Sequence, residues 1–79
     1  MILKRVWSPE GTLRYTGECD GLKIEANTDK KNHDMLNTMV FDGDNYIMFV
    51  VPLMIFCEKT VKDCVEKFKF AWENEINDI

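Results

Sequence analysis

Histidine, proline and glycine are scarce in this chain, with one, two and four copies among 79 residues. The single imidazole, His33, stands in the polar run KKNHD, the setting of a solvated loop residue rather than of an acid–base pair. The few glycines form no phosphate-cradling loop and no nucleophile elbow. The longest apolar run, YIMFVVPLMIF, is broken by Pro52 and is well short of the roughly 18 residues of a membrane helix. The opening MILKRVW is too short an apolar stretch for a signal peptide. A basic excess is also missing: 14 acidic residues face 10 basic ones, for a net charge of −4. Proteins whose main contact is nucleic-acid phosphate carry the opposite sign. The three cysteines are an odd number, the pattern of free thiols in a reducing cytoplasm rather than of a disulfide framework.

Those cysteines do not suggest a metal either. Cys19, Cys57 and Cys64 with His33 would add up to a zinc set, but structural zinc sites use close cysteine pairs and these gaps are long. Cys64 falls on the helix face expected to be buried, where a thiol behaves as a small hydrophobe rather than as a partner for His33. DGDN, residues 42–45, starts like a calcium loop, yet Tyr46 fills the fifth position and no acid occupies the twelfth. No carboxylate pair is marked out. The expectation is a protein without catalytic residues, metal or cofactor.

What the sequence does contain is a single domain, 1–79, in two halves. SPEG (8–11) and ECDG (18–21) are turn signals, the second containing Asp-Gly, which favours a tight hairpin. ILKRVW and TLRYTGE flank the first, and LKIEA follows the second with strict alternation. NTDKKNHD (27–34) is polar throughout and reads as a loop. MLNTMVF and YIMFVV then flank DGDN as a third hairpin. The sum is a meander of about five short antiparallel strands over residues 1–57. From 58 to 79 the period changes. Val61, Cys64, Val65, Phe68, Ala71, Trp72, Ile76 and Ile79 fall at three-and-four spacing, the pattern of one long amphipathic helix. Thr60 with Asp63 three residues on resembles a capping box at its start. The predicted class is α+β: a small antiparallel sheet with a C-terminal helix across one face, burying Phe68 and Trp72.

One helix leaves the other sheet face to be explained. Ile47, Phe49 and Val51 point to one side of the fifth strand, and Met48 and Val50 to the other, so both sides are apolar. The polar loop or the 53–56 segment could fold over the second side, with Pro52 redirecting the chain. A second chain, a further copy of this one included, could cover it instead. Phe70 falls opposite the helix's apolar stripe among charged neighbours, either as an ordinary exposed aromatic or as an anchor for a partner.

EGTLRYTGECDG is similar to one MORN repeat through Tyr15, Gly17 and Gly21, but with no second copy it is explained as hairpin chemistry. VEKFKFAWENEIND resembles the C-terminal helix of a small phage-encoded anti-CRISPR inhibitor of an RNA-guided nuclease, through Val65, Glu66, Lys67, Phe68, Trp72, Asn74 and Glu75. That resemblance implies a non-enzymatic binder in the host cytoplasm whose acids occupy a basic channel of a protein effector, with no direct nucleic-acid or membrane contact. The residues it points to are Glu18, Asp20, Asp42, Asp44, Glu73, Glu75 and Asp78; Phe70, singled out by helical spacing, would be the apolar anchor beside them. DNYIMFVVP followed by KTVKDCVEKF is similar to HicB-like antitoxins, although LMIFCEK replaces their glycine-rich interval. That resemblance implies a dimer. A small structural subunit of a phage or mobile-element assembly is the remaining alternative.

Overall fold

The computed structural model describes the backbone of residues 3–7 and 12–77, and their side chains except those of Trp7 and 74–77. Five strands follow one another: β1 Leu3–Trp7, β2 Leu13–Cys19, β3 Leu22–Thr28, β4 Met35–Asp42 and β5 Asn45–Pro52. Each pairs antiparallel with its predecessor, so spatial order equals chain order. A short 3-10 turn, Leu53–Ile55, leads into one helix, α1, Glu58–Asn77. The α+β class and the five-strand meander expected from the sequence are both present. The SPEG turn lies outside the described residues.

Local chemistry sets the two turns that matter most. Asp20 and Gly21 are the whole β2–β3 loop, with Cys19 opposite Leu22, and both have positive φ, 53° and 81°. That is the pattern of a type I′ turn, whose twist matches the flanking strands. Gly43 and Asp44 make the equally short β4–β5 loop, and only Gly43 has positive φ, 61°, as a type II′ turn requires at its first position. The β3–β4 loop is longer and is organised by Asp29. Its carboxylate accepts the N–H groups of Lys31 and Asn32 at 2.7 and 3.2 Å and the Asn37 amide at 3.3 Å. The Lys31 N–H, followed by the Asn37 amide and then the Asn32 N–H, holds the Asp29 carboxyl below the ordinary aspartate range.

Register assigns the faces. Leu3, Gly17, Ile24, Val40 and Ile47 stand opposite one another across all five strands, and α1 packs on this side. Cys19, Ile24, Val40 and Val51 from the sheet meet Val61, Cys64, Val65 and Phe68 from the helix in one buried cluster. The helix lies chiefly over β4 and β5. Phe68 is its best-buried large side chain. Trp72 stacks on Phe68 with ring centroids 6.3 Å apart but stays partly exposed, so the expectation that both aromatics are buried holds only for Phe68. Phe56, just before α1, reaches across the helix-side face to Tyr15 on β2, with ring centroids 4.7 Å apart. Thr38, the one buried polar side chain among the described residues, donates its hydroxyl to the Leu36 carbonyl at 3.4 Å.

The helix begins at Glu58, where the expected span begins, but its cap differs from the expectation: Cys57, not Thr60, is the residue before the helix. Thr60 occupies the third helical position and closes the end from there. Its hydroxyl accepts the Cys57 N–H at 2.9 Å and donates to the Cys57 carbonyl at 2.8 Å. This is the returning half of a capping box, with threonine standing where glutamate usually does.

Phe68→Ala should lower the free energy of unfolding by about 3–5 kcal/mol, the usual cost of emptying a large buried site. Phe70→Ala, two residues away on the outer side and 70% exposed, should change it by less than about 0.5 kcal/mol, as surface substitutions do. Urea denaturation of the two variants checks both figures. Comparable losses would mean that the helix is rotated from the phase described.

Candidate interaction surfaces

Two surfaces stand out, one apolar and one acidic. The apolar one is the sheet face away from α1. Its β1–β3 half is charged: Arg14 bridges to Glu25 at 2.6 Å, and Lys23 approaches the same carboxylate at 3.9 Å. Its β4–β5 half is not. Met39 and Phe41 on β4 lie opposite Met48 and Tyr46 on β5. Tyr46, Met48 and Val50 are each more than half exposed, Val50 at 55%. None of the described segments covers them. The 53–56 segment instead turns to the helix side, where Phe56 meets Tyr15. The β3–β4 loop is tied beside that segment by the Leu53 N–H donating to the Asp34 carbonyl at 2.7 Å. Of the covers expected for this face, neither the 53–56 segment nor the polar loop provides one.

The acidic surface follows from meander parity. The β2–β3 and β4–β5 turns fall at the same end of the sheet, because alternate turns of an up-and-down sheet share an end. Glu18 precedes the first turn and Asp20 lies in it, Asp42 precedes the second and Asp44 lies in it, and all four are exposed. Helix α1 runs back from the far end of β5 toward this one. Its arrival is marked by Lys69, whose Nζ reaches the Asp20 carboxylate at 3.0 Å. Phe70 and Glu73 follow on exposed positions. The backbone of Glu75 continues the helix, while its side chain and the whole of Asp78 lie outside the described residues. No basic residue occupies the last turn of α1, so the negative end of the helix dipole points the same way as these acids. Six of the eight residues singled out from the sequence thus gather at one end of the molecule.

The three thiols are free, and two of them belong to the buried cluster under α1. Cys19 and Cys64 are buried and Cys57 is exposed. His33 is exposed in the β3–β4 loop. Among the described residues, no group of three or more His, Cys, Asp or Glu side chains is arranged to hold a metal ion. Burial pushes the Cys64 thiol above its usual value, with nearby Asp63 adding to the rise and Lys67 opposing it. Cys57 moves the other way. The Thr60 backbone N–H directed at its sulfur is the main cause, outweighing desolvation, with the Thr60 hydroxyl and Lys59 assisting. No sequence signal marks Cys57 out, because Thr60 is the residue that looks like the cap.

Compared with protein-family models, curated proteins and solved structures, the chain matches none.

The thiol contrast has a direct readout. Iodoacetamide should alkylate Cys57 first, at a rate that rises with pH through a midpoint below the ordinary thiol value of 9.0, because the thiolate is the reactive form. Cys19 and Cys64 should react only on unfolding. Peptide mapping by mass spectrometry distinguishes the three, and labelling of Cys64 at a rate equal to Cys57 would contradict the helix start described.

Proposed function

We propose that the chain is a non-enzymatic, protein-binding inhibitor that occupies a basic surface of an effector with its acidic end. The observation that carries this reading is the convergence of Glu18, Asp20, Asp42, Asp44 and Glu73 at the sheet end where the helix dipole is also negative. Acids near a helix C-terminus work against the dipole, each by about 0.3–1 kcal/mol. Local choices that cost stability without a structural return are expected where a surface serves binding. Of these acids only Asp20 has an ion-pair partner among the described residues, Lys69, so most of the field projects into solvent. Phe70, at 70% exposure on the next helical position, supplies an aromatic beside the acids, the residue type enriched at interface centres.

A basic effector surface that ordinarily holds nucleic acid is the partner such an end would fit. The resemblance of the α1 sequence to an anti-CRISPR inhibitor's helix narrows that class to RNA-guided nuclease complexes. Attraction between the acidic end and a basic channel would speed encounter and weaken with salt.

The test is target-DNA binding by purified RNA-guided nuclease complexes, read by fluorescence anisotropy as the protein is titrated in at low and high salt. The native chain should suppress DNA binding, more strongly at low salt. The triple variant Glu18→Lys, Asp42→Lys, Asp44→Lys should lose at least about tenfold in potency, or about 1.4 kcal/mol, while retaining its thermal midpoint. Asp20 is left intact because it holds Lys69 and has positive φ. DNA binding untouched by the native chain, or equal potency of the triple variant, would remove this reading.

A further inference from the structure

The two edges of the sheet are treated differently. β1, the first edge, is five residues long and carries Lys4 and Arg5, the charge and brevity with which natural sheets discourage further pairing. β5, the other edge, is eight residues long. It has no charged residue between Asn45 and Pro52, and its register against β4 runs without a bulge from Asn45 to Pro52. Its proline comes only at the last position. A long, flat, apolar edge of this kind presents unpaired N–H and C=O groups as a template for another strand. The far-face side chains along it, Tyr46, Met48 and Val50, are the exposed apolar ones already described.

Above the same edge, on the helix side, a groove of about 220 Å³ runs between β5 and α1. Val51 and Pro52 form its floor, and Thr60, Asp63, Cys64 and Lys67 its helical wall. Asp63 and Lys67 are exposed and one helical turn apart, so the wall carries one charge of each sign along its length.

We propose that β5 and this wall of α1 form a two-fold interface with a second copy of the chain. A two-fold axis perpendicular to the sheet beside Phe49 pairs β5 antiparallel with its copy. Met48 then lies opposite Val50 of the second copy and Ile47 opposite Val51, with no charge set against an apolar group. The same axis runs the two helices antiparallel and brings Asp63 of each toward Lys67 of the other. Spacing agrees. The helix lies chiefly over β4 and β5, so its axis is about half a strand interval inside the edge. With strands about 4.8 Å apart, the two helix axes come about 10 Å apart, the distance at which helices pack. A strip roughly 26 Å long and roughly 20 Å deep buries about 1,000 Å² in total, the lower bound of a specific interface. The dimer is therefore a weak one with a ten-stranded sheet, four helix ends outward, and the uncovered patches of the two far faces joined into one.

This inference does not rest on the acidic end, and its test is separate. Sedimentation equilibrium of the intact chain over a wide concentration range should show mass rising to twice that of one chain. Val50→Lys places an ammonium on the paired edge and should weaken association at least about tenfold. Asp63→Lys and Lys67→Asp, each alone, set like charges against each other and should do the same. An equimolar mixture of those two variants restores both opposite-charge pairs and should recover the doubled mass. The mixture also guards against misreading a folding defect in Val50→Lys, whose circular dichroism is to be compared with the native chain. A single-chain mass at every concentration overturns the proposal. So does a dimer that Val50→Lys leaves unchanged, or a mixture that stays at single-chain mass. The triple acidic-end variant should keep the dimer whatever its effect on an effector.

Discussion

A single amphipathic helix has one apolar stripe, and a sheet has two faces. This mismatch governs the molecule. Because side chains alternate along a strand, Val51 is buried under α1 while Val50 beside it is more than half exposed, although the two differ in nothing but parity. Burying a side chain of this size is worth about 1.5–3 kcal/mol, so the helix side supplies most of the hydrophobic stabilisation and the far side little. A domain of this length has no second layer to spare. The far face divides along a similar line: β2 and β3 carry Arg14, Lys23 and Glu25, and β4 and β5 carry methionine, valine and aromatics.

Features decided by two or three neighbouring residues were legible in the sequence. Asp20-Gly21 and Gly43-Asp44 specify their turns through backbone conformations that few other residues adopt, and the alternation in LKIEANT locates β3 without knowledge of its neighbours. Phe70 was placed on the outer side of the helix by spacing alone. The acidic end was half legible. Each acid could be assigned to a turn or a tail, but that these turns share one end follows from counting strands, which required the meander to be right.

What escaped reading depended on contacts distant in sequence or on an unusual substitution in a familiar motif. Cysteine is not an expected residue before a helix, so Thr60 drew the role of cap to itself. In the structure the same threonine does its capping from the third helical position, reaching back to Cys57. Trp72 lies on the apolar stripe, yet by that point α1 has reached the end of the sheet where Asp20 meets Lys69, and there is less beneath the indole to bury it. The cover of the far face was undecidable from alternation, since a pattern of side chains records which way each points and not what lies above it. Only the path of residues 53–56 toward Tyr15 resolves where that segment goes.

The order of elements has a bearing on synthesis. Every strand pairs with the one made just before it, so the sheet can assemble by local steps as the chain emerges, with little loop-closure entropy to overcome. The layer that dries it comes after all five strands. Until Val61, Val65 and Phe68 have been added, Ile24, Leu36 and Val40 face water on a sheet that is open on both sides, with the uncharged edge of β5 already formed. The period of greatest exposure thus falls between pairing of the fifth strand and docking of the helix. A chain of this design depends on that last step being quick: its hazard is a sheet left waiting for its helix.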